Sequence, residues 1–152
     1  DIGNVITGDT DKSVLFSDRY LEVPEIKDAF VSIRELNDVC NGRVCLVSKC
    51  REAVQAKNKH WLQHRNFYHL TGVKEEKTFF CMTRAGKAPI CAKEGVTDFI
   101  DDRLEVLGYL TTVKNKFLFH PNEKEVIRNK QHLPNVIRVE NWKELMVAIR
   151  SV

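Results

Sequence analysis

Residues 88–110 read APICAKEGVTDFIDDRLEVLGYL, and the reading of this stretch decides the fold. A short helix over residues 86–95 stops at Gly95, the residue best suited to leave a helix in a left-handed turn. Residues 97–101, TDFID, then read as a buried strand, and residues 102–109 as a helix again. The strand closes on two adjacent carboxylates, Asp101 and Asp102. Two like charges side by side at the end of a buried strand gain a folding chain nothing, so their presence asks for a chemical reason.

The same alternation continues in both directions. Residues 24–41 read as a helix, with Pro24 in the first turn and Ile26, Ala29, Phe30, Ile33, Leu36 and Val39 at helical spacing ahead of Gly42. RVCLVS, residues 43–48, is a strand; residues 49–66 are a helix; TFFCM, residues 78–82, is a strand. Towards the C-terminus, KFLF (116–119) and NVIRVE (135–140) are strands, and residues 122–131 and 142–150 are helices. Asn141 and Glu144 have the spacing of a capping box at the start of the last helix. Strands alternating with helices predict a single α/β domain over residues 1–152, with a mostly parallel sheet covered by helices on both faces. Ligands of such sheets bind beyond the C-terminal ends of the strands. The residues to weigh are therefore Ser48, residues 82–87, Asp101, Asp102 and His120. DIGNVITG, residues 1–8, reads as the end of a buried strand, truncated before Asp1.

The composition narrows the classes. The 152 residues are 43% hydrophobic and 30% charged, the profile of a globular domain. A net charge of +3 and the lack of a Lys/Arg block give no indication of nucleic-acid binding. No apolar run reaches the ~18 residues of a membrane span, and no signal-peptide pattern opens the chain. The five cysteines, Cys40, Cys45, Cys50, Cys81 and Cys91, are odd in number and have no C-x-x-C spacing. They are expected to be free thiols used as small core residues in a reducing, cytoplasmic compartment.

Four features fall at strand ends in a fixed order: Asp1 in D-I-G-N-V-I, Ser48 after VCLV, Lys87 in GKAP, and the Asp101–Asp102 pair in FIDDR. This order resembles the haloacid dehalogenase (HAD) superfamily of phosphatases and related hydrolases, and the resemblance spans the chain. Its most specific part is FIDDR with the upstream GKAP; D-x-G-N-V is a variant of the family's first motif. The resemblance implies a three-layer Rossmann-like fold, Asp1 as nucleophile, Ser48 and Lys87 as phosphate-binding residues, and Mg²⁺ held by Asp1, the Gly3 carbonyl, Asp102 and Asp101, the last directly or through water. It implies a Mg²⁺-dependent phosphomonoester hydrolase working through an aspartyl-phosphate. The chemistry is coherent. A carboxylate is ionised at neutral pH and needs no activating base; a divalent cation removes its repulsion from phosphate; Lys87 adds a point charge.

Each residue also has a plainer reading. Asp101 and Asp102 alone could be an N-cap and first-turn acid of the next helix. Lys87 alone could be a solvated lysine, with Lys93 a rival for its role, and Ser48 a helix cap. His60 and His64 have the i, i+4 spacing of metal ligands but lack a third. The chain also departs from the family at Gly3, where most relatives carry a second Asp as general acid–base. That group is typically worth about 10²–10⁴-fold in rate. Asp9 and Asp11, on the flap that the family places after the first motif, are candidate substitutes. Gly3 feeds the alternative of a catalytically inactive phosphate-binding or protein-interaction module. Neither residues 2–47 nor residues 49–86 leave room for an inserted cap domain. The expected site is thus open, suited to a phosphorylated substrate that includes macromolecules, with Phe16 and Tyr20 of the flap (residues 7–23) as contacts.

Overall fold

The structure is a computed structural model that describes residues 1–8 and 12–152. It is mixed α/β, with five short strands: β1 (Leu46–Lys49), β2 (Thr78–Cys81), β3 (Asp98–Asp101), β4 (Asn115–Phe119) and β5 (Ile137–Val139). Every strand pairing is parallel, as the alternation predicts, but the strands divide into two sheets. One is β1–β2; the other is β3–β4–β5. On the edge of β3 that β4 leaves free, the main-chain nitrogen of Asp1 donates to the Ile100 carbonyl at 3.0 Å.

The strands carry side chains into two apolar clusters by their period-two alternation. Leu46, Phe117 and Phe119 belong to one cluster with Ile2, Phe30, Trp61 and Trp142. Val47 and Leu118 belong to the other with Cys91, Phe99, Leu104 and Leu107. Neighbours along a strand point to opposite faces, so both faces of β1 and β4 are packed.

Eight α-helices are described: α1 (Lys12–Phe16), α2 (Ala29–Val39), α3 (Glu52–His64), α4 (Phe67–Thr71), α5 (Lys87–Glu94), α6 (Leu104–Tyr109), α7 (Glu123–Arg128) and α8 (Trp142–Arg150). The helix expected over residues 24–41 begins only at Ala29. Residues 24–26 are claimed by an antiparallel contact instead: Gly8 N–H donates to Pro24 O at 2.6 Å, Thr7 bridges Glu25, and Ile26 N–H donates to Ile6 O at 2.8 Å. Asp28, at φ 66°, then turns the chain into the helix. Helix α4 lies between Asn66 at φ 56° and Gly72 at φ 77°; its five residues are too few to show a helical period in the sequence. At α8 the Asn141 side chain accepts from Glu144 N–H at 2.9 Å. The Glu144 carboxylate accepts from Glu140 N–H at 2.8 Å, one residue before the expected partner.

All five cysteines are free thiols, with Cys50 and Cys91 buried and the other three half-buried. Among the described residues no helix is long and apolar enough to cross a membrane.

Trp142 ties the end of the chain to its start. Its ring is buried near Phe119, and its Nε1 donates to Val5 O at 2.9 Å. Trp142→Phe removes that donor, leaves a buried carbonyl unpaired and opens a small void. The expected loss is about 2–4 kcal/mol in urea unfolding. A loss below about 1 kcal/mol would mean that the N-terminal turn is held by other contacts.

Candidate active site

The site begins with the turn that follows Asp1. Ile2 O accepts from three N–H groups in succession, those of Val5 at 3.4 Å, Ile6 at 2.8 Å and Thr7 at 3.1 Å. The Thr7 hydroxyl adds a fourth donor at 3.4 Å; one carbonyl serving so many donors forces a tight turn, and Asn4 takes up the left-handed conformation at φ 59°. Ile2 N–H also donates to Asp1 Oδ1 at 2.8 Å, which fixes the carboxylate over the turn.

Lys87 is the first residue of α5, delivered by a turn in which the Thr83 hydroxyl accepts from Gly86 N–H at 3.0 Å. Its side chain is 2% exposed and its ammonium lies 5.7 Å from the centre of the Phe99 ring. That ammonium donates to Asp101 Oδ2 at 2.7 Å and contacts Asp1 Oδ1 at 3.0 Å. Asp101 is 0% exposed, and its second oxygen accepts from Arg103 N–H at 3.0 Å. A charge so deeply buried persists only when paired and hydrogen-bonded on all sides. Lys93, the rival, is exposed.

Asp102 is half-buried beside this bridge. Burial, followed by the neighbouring Asp101 charge, pushes its carboxyl above the usual range, and a hydrogen bond from Asn4 opposes the shift. Asn4 Nδ2 donates to Asp102 Oδ2 at 3.0 Å. The acidic pair is not the cap of the helix that follows. Glu125, reaching over from α7, accepts from Leu104 N–H at 3.0 Å and from Glu105 N–H at 2.9 Å, and so caps α6. With that need met elsewhere, the pair is left to the site.

One ligand-capable oxygen from each of Asp1, Asp101 and Asp102 lies within 4.8 Å of the other two. At bonds of ~2.1 Å, opposed ligands of one Mg²⁺ stand about 4.2 Å apart, so a small side-chain rotation brings these oxygens to a shared ion. The hydrogen bonds divide the oxygens into two groups. Asp1 Oδ1 and both oxygens of Asp101 are engaged, whereas Asp1 Oδ2 and Asp102 Oδ1 have no hydrogen bond among the described residues. No backbone N–H of the described residues donates to Gly3 O. Two carboxylate oxygens and a carbonyl are the hard donors that Mg²⁺ takes, so the residues fit the ion.

The other expected residues lie further out. Ser48 is buried in β1, one residue before its end; its carbonyl accepts from Cys81 Sγ at 3.7 Å and its side chain lies against the Cys50 thiol. It makes no hydrogen bond to the carboxylates among the described residues. Phe16 is exposed. Tyr20 turns towards α3, sharing a hydrogen bond of 2.5 Å with His60 Nδ1, while Lys57 donates to Phe16 O and Ser17 O at 3.1 and 3.2 Å. These bonds fasten Phe16, Ser17 and Tyr20 to α3 and commit His60 to Tyr20. Neither His60 nor His64 joins a cluster of three metal-ligating side chains among the described residues. Asp9 and Asp11 lie outside the described residues. A Cβ built on Gly3 would meet nothing within 4 Å. The sequence reading missed Asn4 and Glu125. The signal for Asn4 was its place in D-I-G-N-V, where Asn is a residue that tolerates a left-handed turn; Glu125 acts across sequence distance and left no local signal. Neither a protein-family model nor a curated protein matches the chain.

Lys87→Met keeps the length of the side chain and removes its charge, leaving Asp1 and Asp101 facing each other uncompensated. The expected cost is about 3–5 kcal/mol in chemical denaturation. Adding Asp101→Asn should restore part of it; a double variant as unstable as the single one would show that charge is not the cause.

Proposed function

We propose that the chain is a capless, three-layer HAD-type domain of the cytoplasm that hydrolyses phosphomonoesters through a phospho-Asp1 intermediate with the help of Mg²⁺. The observation that carries this reading is the buried Lys87 bridge between Asp1 and Asp101, with Asp102 alongside. A nucleophilic carboxylate, a fixed cation beside it and free hard oxygens meet at the C-terminal ends of parallel strands, where open α/β folds bind ligands. Packing on both faces of β1 and β4 supports the three layers. The short segments between strands support an open site, accessible to phosphate groups on small molecules and on macromolecules alike.

Asp1 Oδ2, Asp102 Oδ1 and the Gly3 carbonyl would hold the ion. Mg²⁺ bound there neutralises charge shared between carboxylate and phosphate. Asp1 attacks phosphorus, forming a carboxyl O–P bond as the P–O bond to the leaving group breaks, and the leaving oxygen takes its proton from water. Water then attacks the phosphorus of the acyl phosphate, releasing inorganic phosphate and restoring Asp1. Lys87, held by Asp101, keeps a positive charge beside the attacking carboxylate throughout. Ser48 adds a hydroxyl at the same edge for the phosphate oxygens.

Gly3 favours a second reading, an inactive phosphate-binding or protein-interaction module, because the position of the usual acid carries no side chain. Hydrolysis of an activated aryl phosphate with and without Mg²⁺ separates the two, since such a leaving group departs without a proton. Asp1→Asn should abolish that hydrolysis with the fold intact, because an amide is a poor nucleophile; turnover retained in this variant rejects the covalent route.

Gly3→Asp tests the missing acid. Gly3 has open space and no left-handed φ, so a side chain fits. Turnover of alkyl phosphates should rise by about 10-fold or more, with little gain for aryl phosphates. An unchanged alkyl-to-aryl ratio in the folded variant would show that the absent Asp is not the kinetic defect.

A further inference from the structure

Asn4 sits at φ 59°, in a conformation that glycine adopts most readily. Its backbone duty in the turn needs no side chain. Yet its carboxamide reaches the opposite strand end and donates to Asp102 Oδ2 at 3.0 Å. Asp102 has no other side-chain hydrogen bond among the described residues. Without Asn4 the carboxylate would rotate freely about its last torsion, pushed by the charge of Asp101 next to it. The bond also joins the turn carrying Asp1 and the Gly3 carbonyl to the strand end carrying Asp102, the two halves of the ligand set. Partners that orient metal-binding carboxylates in this way tune affinity for the ion without touching it.

We infer that Asn4 is a positioning residue that locks Asp102 by its Oδ2 and presents Oδ1 to the divalent cation, an inference that rests on the Mg²⁺ reading of the site. It acts on the protein through cation affinity rather than through the fold, since it is exposed and its backbone requirement is met by glycine.

The test is calorimetric titration of Mg²⁺ into the parent protein, Asn4→Gly and Asn4→Ala. Glycine keeps the left-handed turn at no cost and alanine strains it, so a loss common to both belongs to the carboxamide and either folded variant decides the question. Mg²⁺ affinity should fall about 10–100-fold in each, while the metal-free melting temperature of Asn4→Gly stays at that of the parent. The Mg²⁺ concentration for half-maximal aryl phosphate hydrolysis should rise by the same factor, with kcat at saturating Mg²⁺ unchanged. In an Asp102→Ala background, Asn4→Gly should add no further loss. Parent-like affinity in Asn4→Gly, or a full additional loss in the Asp102→Ala background, overturns the inference and leaves the Mg²⁺ reading standing. Absence of Mg²⁺ binding by the parent protein overturns both.

Discussion

The ammonium of Lys87, sealed between Asp1 and Asp101, is the interaction around which the rest of the site is arranged. It lies where a lysine is costly, and only the two carboxylates make it tolerable. Because it is the first residue of α5, its position sets where that helix begins against β1 and β3. Because one partner is Asp1 and the other ends β3, it also joins the N-terminal turn to the three-stranded sheet. The two sheets share little backbone bonding, so this ion bridge, the Asp1–Ile100 hydrogen bond and the apolar clusters hold them in one body.

Around that centre the polar groups are sorted by task. Glu125 takes over the capping of α6, which frees Asp101 and Asp102 from that task. Trp142 fastens the turn after Asp1 from below, through Val5. Lys57 and the Tyr20–His60 pair fasten residues 16–20 to α3. Asp1 itself is held by the Ile2 N–H, the Lys87 ammonium and the Ile100 carbonyl, so its carboxylate has a fixed direction.

Much of this was legible in the sequence. Asp101 and Asp102 announce themselves as charges where an apolar pattern ends, and the alternation of strands and helices places them at a strand end; Lys87, an ordinary lysine by itself, was singled out only by its place in GKAP within the order that resembles the HAD family. The parallel pairing follows from the same alternation. Other features were hidden for physical reasons. The contact of residues 7–8 with residues 24–26 overrides the helical spacing that Pro24 and Ile26 suggest, since tertiary pairing outweighs local pattern. Asn4 and Glu125 act on groups far along the chain, and a lone amide or glutamate carries no periodic signature.

The charges in the bridge do not balance. Lys87 supplies one positive charge against the carboxylates of Asp1, Asp101 and Asp102, so the fully ionised cluster is left with an excess of two negatives. Burial strengthens the field of that excess. Under the proposed reading, a phosphate dianion meeting this edge would be repelled until a divalent cation had restored neutrality. Under the proposed reading the site is obliged to load in sequence, cation before phosphate, and substrate would then inhibit neither the free protein nor the entry of the ion. Under that reading the order of addition would follow from the charge of the site alone, with no moving part required to enforce it.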